Sequence, residues 1–189
     1  MIESLEPRRL FAAIVVNGTP IADNINVTDL AGPATQITIN NVVSLVADGT
    51  SIEVNGLGGN DTMVVNAILP TLMRGGDGND YMMGGNGNDV MLGGNGDDVT
   101  VGRNGMDKML GEGGNDRLYG MNDSDALYGG TGNDYLDAGT GRDEVHAGLG
   151  SDRIVVATDG ALDKYYRNPA FDVFVGAALE PFDQVLFEL

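Results

Sequence analysis

The stretch GGDGNDYMMGGNGNDVMLGGNGDDVTV, Gly75 to Val101, consists mostly of glycine, asparagine and aspartate. Such a composition is usual in flexible linkers. Yet Asp80, Asp89 and Asp98 recur at nine-residue intervals, and Met82, Met91 and Thr100 follow them two places later. From Gly75 to Val155 the chain divides without a gap into nine nine-residue units: GGDGNDYMM, GGNGNDVML, GGNGDDVTV, GRNGMDKML, GEGGNDRLY, GMNDSDALY, GGTGNDYLD, AGTGRDEVH and AGLGSDRIV. The sixth position is Asp in all nine units, and the fourth is Gly in eight, Asp123 being the exception. The eighth is apolar in every unit but the third. A disordered linker has no reason to hold such a register.

Each unit reads as a loop followed by a strand. Six glycine-rich residues end in Asp, and three strand-like residues follow. Side chains alternate across a strand, so position eight faces one way and positions seven and nine the other. One inward residue per strand makes a thin core that only a stack of units can bury. Glycines in the loop permit backbone angles that a Cβ forbids, and they leave carbonyl oxygens accessible. Together with the Asp carboxylate, these are ligands for a hard cation. Neighbouring strands lie about 4.8 Å apart. An ion midway between stacked loops would have ligands about 2.4 Å away, inside the calcium range of about 2.3–2.6 Å and beyond the magnesium value of about 2.0–2.1 Å.

The pattern GGxGxDxUx resembles the RTX, or hemolysin-type, calcium-binding nonapeptide. The resemblance covers residues 75–155 and implies an all-β, right-handed parallel β-roll with irregular β caps. Two units make one turn, so loops alternate between two edges and each calcium lies between loops eighteen residues apart. The implied pairs are Asp80 with Asp98, Asp89 with Asp107, Asp98 with Asp116, Asp107 with Asp125, Asp116 with Asp134, Asp125 with Asp143, and Asp134 with Asp152. That allows at most seven ions. Loop by loop, the candidate ligands are Gly75, Gly76, Asp77, Gly78 and Asp80; Gly84, Gly85, Asn86, Gly87 and Asp89; Gly93, Gly94, Asn95, Gly96 and Asp98; Gly102, Asn104, Gly105 and Asp107; Gly111, Gly113, Gly114 and Asp116; Asp125; Gly129, Gly130, Thr131, Gly132 and Asp134; Gly139, Gly141 and Asp143; and Gly148, Gly150 and Asp152.

Arg103, Glu112 and Met121 replace the second glycine in three successive units, and Ala138 and Ala147 replace the first in two others. Arg103 would bring a positive charge near an ion, so the site between loops 102–107 and 120–125 is expected to be the weakest. Upstream, GLGGNDTMV from Gly56 repeats the unit with Asp61 and Met63 in place, and could set Asp61 above Asp80. GTPIADNIN from Gly18 echoes it more faintly, with Asp23 and Ile25, and reads as a decayed strand and turn without a partner loop.

Composition agrees with this reading. Of 189 residues 30 are glycine, and 22 of those fall in the nine units. Aromatics make up only 6%, too few for a core built on large rings. Ten basic residues against 28 acidic ones leave a formal charge of −18, which repels nucleic acid and anionic lipid and attracts cations. Without cysteine there is neither a disulfide nor a thiolate metal site, so a secreted chain would need another staple. No apolar run approaches the roughly 18 residues of a membrane span.

Four segments follow: residues 1–13, a leader or N-terminal segment; 14–74, a β cap with irregular rungs; 75–155, the calcium-binding roll; and 156–189, a C-terminal cap. Leu5-Glu6-Pro7-Arg8-Arg9-Leu10-Phe11 resembles the LEPRxLL leader of planctomycete surface and secreted proteins, and an ordinary strand with a charged preface is the other reading. Apolar alternation over 34–55, broken by Asp48-Gly49-Thr50, predicts a hairpin or a roll edge. Tyrosines and phenylalanines gather after Val155, as in a cap closing a thin stack.

No catalytic constellation stands out. His146 is the single histidine and occupies an outward position, so an H-E-x-x-H zinc site is impossible. Neither a G-x-S-x-G elbow nor a phosphate loop occurs. Apolar or Tyr residues at position nine (Met83, Leu92, Val101, Leu110, Tyr119, Tyr128 and Val155) form two short outward stripes, best read as cross-strand packing. The expected function is calcium binding by a secreted or cell-surface protein that folds on meeting extracellular calcium, structural or adhesive and not catalytic. Its partners would be calcium, another copy of itself, or a cell-surface component. The alternative is an ancillary module of a secreted hydrolase, lyase or epimerase.

Overall fold

The computed structural model describes residues 14–29, 34–39, 42–47, 51–157, 159–168, 171–176, 179 and 183–187. The leader-like segment 1–13 lies outside the described residues. The strands, in chain order, are β1 (Ile14–Asn17), β2 (Asn24–Asp29), β3 (Ala34–Ile39), β4 (Val42–Ala47), β5 (Ile52–Gly58), β6 (Thr62–Asn66), β7 (Thr71–Asp77), β8 (Tyr81–Met83), β9 (Val90–Asn95) and β10 (Val99–Arg103). They continue as β11 (Lys108–Gly113), β12 (Arg117–Asn122), β13 (Ala126–Thr131), β14 (Tyr135–Thr140), β15 (Glu144–Leu149), β16 (Arg153–Val156), β17 (Lys164–Arg167), β18 (Val173–Gly176) and β19 (Gln184–Phe187).

These strands form two sheets. One has the order β1-β5-β7-β9-β11-β13-β15-β17-β19, the other β18-β16-β14-β12-β10-β8-β6-β2-β3-β4. Through the repeats, successive units feed alternate sheets, so each pair of units closes one coil. Every pairing is parallel except β2 with β3 and β3 with β4. Described residues are all-β: the protein is a stacked parallel β-solenoid, the roll expected from the repeat.

Register brings like positions together. Met73, Met91, Met109, Leu127, Val145 and Tyr165 stand in one line across the first sheet. Ile25, Met63, Met82, Thr100, Leu118, Leu136 and Ile154 stand in line across the second. All are at most 1% exposed, so the two lines run through the core. Thr100 is the one polar member, and its hydroxyl donates to the Met109 thioether at 3.5 Å. Methionines suit a core one residue deep, because a flexible thioether fills irregular gaps.

The sheets run past the nonapeptides at both ends. β1, β2, β5, β6 and β7 supply coils before them, and β17, β18 and β19 supply strands after them. Over 156–189 the aromatics meet as expected: Tyr165 is buried and packs edge-on against Phe174, with ring centroids 5.4 Å apart. The expected hairpin is β3 with β4, which pair antiparallel. Residues 48–50 lie outside the described residues.

On the outer face of the first sheet, Tyr128 stacks on His146 at 4.7 Å and His146 on Tyr166 at 4.0 Å. The His146 ring also meets Glu144 Oε1 at 2.7 Å. The position-nine stripe is thus cross-strand packing here, and His146 is one of its rungs.

A core one residue thick cannot collapse around a hole. Leu127→Ala is expected to destabilise the folded protein by about 2–5 kcal/mol, read as a lower melting temperature; an unchanged melt would show that the line of inward residues carries little of the stability.

Candidate metal centre

Positions six and eight share a face, so the repeat drives its aspartates inward together with its apolar residues. All nine sixth-position aspartates, and Asp61 and Asp23, are at most 4% exposed. They form two ladders along the edges of the roll. On one edge the order is Asp23, Asp61, Asp80, Asp98, Asp116, Asp134, Asp152, Asp172. The backbone N–H of each donates to Oδ1 of the next, at 2.6–3.1 Å. On the other edge Thr71 N–H donates to Asp89 Oδ1, and the chain of donations continues through Asp107, Asp125, Asp143, Asp163 and Asp183 at 2.8–3.2 Å.

The second oxygen of each carboxylate separates the coils. Oδ2 of Asp61, Asp80, Asp98, Asp107, Asp116, Asp125, Asp134, Asp143 and Asp152 is buried with no hydrogen-bond donor. Other members of the ladders have one. Gly85 N–H donates to Asp89 Oδ2 at 2.8 Å, Asn168 N–H to Asp172 Oδ2 at 2.5 Å, and the Tyr165 hydroxyl to Asp163 Oδ2 at 3.1 Å. Asp23 Oδ2 accepts from the Thr19 N–H and hydroxyl. A buried polar atom without a partner loses its hydration for nothing, and a charged one more so.

The glycines explain what surrounds these oxygens. A Cβ on Gly75 would collide with Asp80 Oδ2 and the Gly93 carbonyl together. The same convergence recurs at Gly93 with Asp98 and Gly111, at Gly102 with Asp107 and Gly120, at Gly111 with Asp116 and Gly129, and at Gly56 with Asp61 and Gly75. At Gly84, Asp89 Oδ2 meets the Gly102 carbonyl. First-position glycine therefore keeps open a spot where a carboxylate oxygen and a neighbouring coil's carbonyl face each other. Ala138 and Ala147 carry a methyl at that position in loops 138–143 and 147–152.

The remaining candidate positions play other parts. Side chains of Asp77, Asn86, Asn95, Asn104 and Thr131 point outwards. The carbonyls of Asp77, Asn95 and Thr131 accept from Gly59, Gly78 and Gly114 at 2.8, 2.8 and 2.9 Å, which leaves each a second lone pair. Gly78, Gly96, Gly105, Gly114, Gly132, Gly141 and Gly150 press against a carbonyl one coil back, as do Gly76, Gly94, Gly130, Gly139 and Gly148. Gly85 and Gly87 abut the Ala67 and Leu69 carbonyls, in the coil that lacks a nonapeptide loop. Gly113 sits in looser contact, its nearest neighbour the Thr131 hydroxyl.

Arg103, Glu112 and Met121 adopt the left-handed backbone of the glycines they replace, with φ of 88°, 74° and 87°. Arg103 sends its guanidinium outwards to Asn66 Oδ1 at 2.9 Å, not to Asp107 or Asp125. The stack thus tolerates about 1–2 kcal/mol of backbone strain at each such residue to keep its register.

Burial pushes the carboxyls up and neighbouring carboxylates add to it. Asp98, Asp107, Asp143 and Asp152 rise to about 7, and Asp125 to about 8, from an ordinary 3.8. Asp61, Asp116 and Asp134 rise to about 6. Bare rims therefore hold protons or seek cations. Two Asp oxygens and backbone carbonyls match the ligand set of a hard cation. Among the described residues no cluster of three or more His, Cys, Asp or Glu is arranged for a metal, as a site made largely of carbonyls requires.

Comparison with known proteins agrees. The family model of the RTX calcium-binding nonapeptide repeat (4 copies) matches residues 72–100, 101–136 and 119–154. Residues 72–154 are thus RTX calcium-binding nonapeptide repeats. No curated protein and no solved structure matches the chain.

Asp23, Asp163, Asp172 and Asp183 escape the nonapeptide pattern. Asp23, read from the sequence as lacking a partner loop, donates its N–H to Asp61 Oδ1 at 2.6 Å. The last three follow their predecessors at twenty residues rather than eighteen. The surviving signal is an Asp two places before an inward apolar residue: Ile25, Tyr165, Phe174 and Val185.

These shifts set a sign. Folded-state values raised above 3.8 mean that the metal-free fold binds more protons than the unfolded chain at every pH between about 4 and 8. Its stability is present at the acid end of that window and is lost as pH rises towards 8. In chelator, β-type circular dichroism is expected to grow as pH falls from 8 to 5; a flat or falling signal would contradict the buried carboxyls.

Proposed function

We propose that the chain is a secreted or surface-associated structural protein whose roll is stapled by calcium, and that its folding is coupled to extracellular calcium. The observation that carries this reading is the row of buried, donor-less Asp Oδ2 atoms facing carbonyls of the adjacent coil. Asp80 with Asp98, Asp98 with Asp116, Asp116 with Asp134, and Asp134 with Asp152 would hold ions along one edge. Asp107 with Asp125 and Asp125 with Asp143 would hold them along the other, and Asp61 with Asp80 would add one outside the matched repeats. Asp89 with Asp107 is the weakest pair, because Gly85 already satisfies Asp89 Oδ2. Calcium supplies positive charge and oxygen coordination, which neutralise the carboxylates and join successive coils.

Without it, closely spaced carboxylates repel, and 22 glycines in 81 residues impose a large ordering cost. Extracellular calcium modules bind at about 10⁻⁴–10⁻³ M. Such a chain stays open in a calcium-poor cytosol and closes outside the cell. The end coils, whose Asp oxygens the protein's own donors satisfy, act as caps that need no ion. The role is structural or adhesive, without catalysis.

Titration at pH 8, followed by circular dichroism, tests this. The chelated protein is expected to give a coil-like spectrum and to gain β signal at millimolar calcium; an unchanged β spectrum in strong chelator overturns the reading. Asp116 serves two of the proposed sites. Asp116→Ala is therefore expected to bind up to about two fewer ions than wild type and to need several-fold more calcium to fold. Unaltered stoichiometry in that variant would remove Asp116 from the ligand set.

A further inference from the structure

The outer face of the second sheet carries a feature that calcium binding leaves unused. Arg117, Tyr135 and Arg153 open strands β12, β14 and β16 and sit side by side in register. Beside them, on the preceding loops, run Asn115, Asn133 and Ser151. Between the two rows lies a groove of about 370 Å³ that crosses the strands and so follows the roll axis. In a chain of charge −18, both arginines are exposed, and among the described residues neither makes an ion pair. Most other described basic side chains are engaged: Arg74 with Glu53, Arg103 with Asn66, Lys108 over Tyr128, and Arg167 with the Asp172 carbonyl and Phe174.

We propose that this groove binds a carboxylate-bearing saccharide in which uronate and neutral rings alternate, lying along the roll axis. Arg117 and Arg153 stand two strands apart, about 9.6 Å by strand spacing, so they take carboxylates on alternate rings. Guanidinium groups suit this task through their paired, planar donors. Tyr135, between them, offers a ring to the intervening neutral sugar. The Asn115 and Asn133 amides are tied to one another along the loop edge, which holds that wall of the groove in place. Nucleic acid fits poorly, because its phosphates are spaced far more densely than one carboxylate in every two sugar rings, and two arginines cannot offset their repulsion from the chain as a whole.

The proposal rests in part on the calcium reading. Asp116 and Asp134 line the groove's inner side, and their charge opposes an anion until calcium neutralises it. Asp97 and Asp137 also lie close, opposite Arg117 and Tyr135 respectively.

The test is calorimetry in millimolar calcium, with folding checked by circular dichroism on the same samples. The probe is an oligosaccharide of alternating glucuronate and N-acetylglucosamine. Wild type is expected to bind it, and Arg117→Ala/Arg153→Ala to bind at least about tenfold more weakly with the same calcium-induced spectrum. Tyr135→Ala is expected to weaken binding by a smaller factor. No binding by folded wild type, or equal binding by the folded double variant, overturns the proposal. Equal binding of the probe with its carboxylates reduced to alcohols also overturns it, as does tighter binding of a poly-glutamate peptide. A failure of calcium to raise the β signal would sink the calcium reading instead, and binding at pH 5 in chelator would then report on the groove alone.

Discussion

The roll depends on a carboxylate placed where a hydrocarbon would normally go. Each coil sends an Asp inward two places before its apolar residue, and each Asp gives only one oxygen to the preceding coil's backbone. The hydrogen bond from N–H to Oδ1 fixes the coils at strand spacing, while the other oxygen stays buried and bare. A molecule with this arrangement repeated on both edges can be stable only if protons or cations reach it. The loops, the glycines and the length of the array follow from that requirement.

The two edges are not equal. One has a run of six bare oxygens, from Asp61 to Asp152; the other has three, at Asp107, Asp125 and Asp143. The difference traces to the segment around Ala67 to Pro70, which turns without a glycine loop and brings Thr71 N–H, rather than another Asp, to Asp89 Oδ1. Towards both ends the protein's own groups close the ladders: Thr19 at Asp23, Asn168 at Asp172 and Tyr165 at Asp163. The donor-less oxygens therefore lie in the middle of the roll.

The central coils were legible because two periodicities coincide there. Asp at position six and an apolar residue at position eight repeat at nine, and nine residues are one half-coil. Met82, Met91 and Leu127 are buried where that pattern puts them. Where the half-coil grows by a residue or two the period fails, although the physics does not: Asp163 and Asp172 make the same backbone contacts as Asp125 and Asp134 from a spacing of twenty. The place of the Arg103 side chain was hidden for another reason. Its position in the loop is visible in the sequence, but its φ of 88° and its reach to Asn66 are set by neighbouring coils. The groove beside Tyr135 is equally hidden, since neighbours within each of its rows lie eighteen residues apart in the chain.

The β3–β4 hairpin has a consequence for assembly. A parallel stack exposes, at its ends, backbone groups that another copy could continue. Beyond β2 the second sheet runs antiparallel, first through β3 and then β4, while β1 is the outermost strand of the first sheet among the described residues. A coil arriving at that end would find the two sheets of unequal reach and one of them reversed. The antiparallel β3 and β4 thus break the parallel pattern that end-to-end addition of another coil would continue.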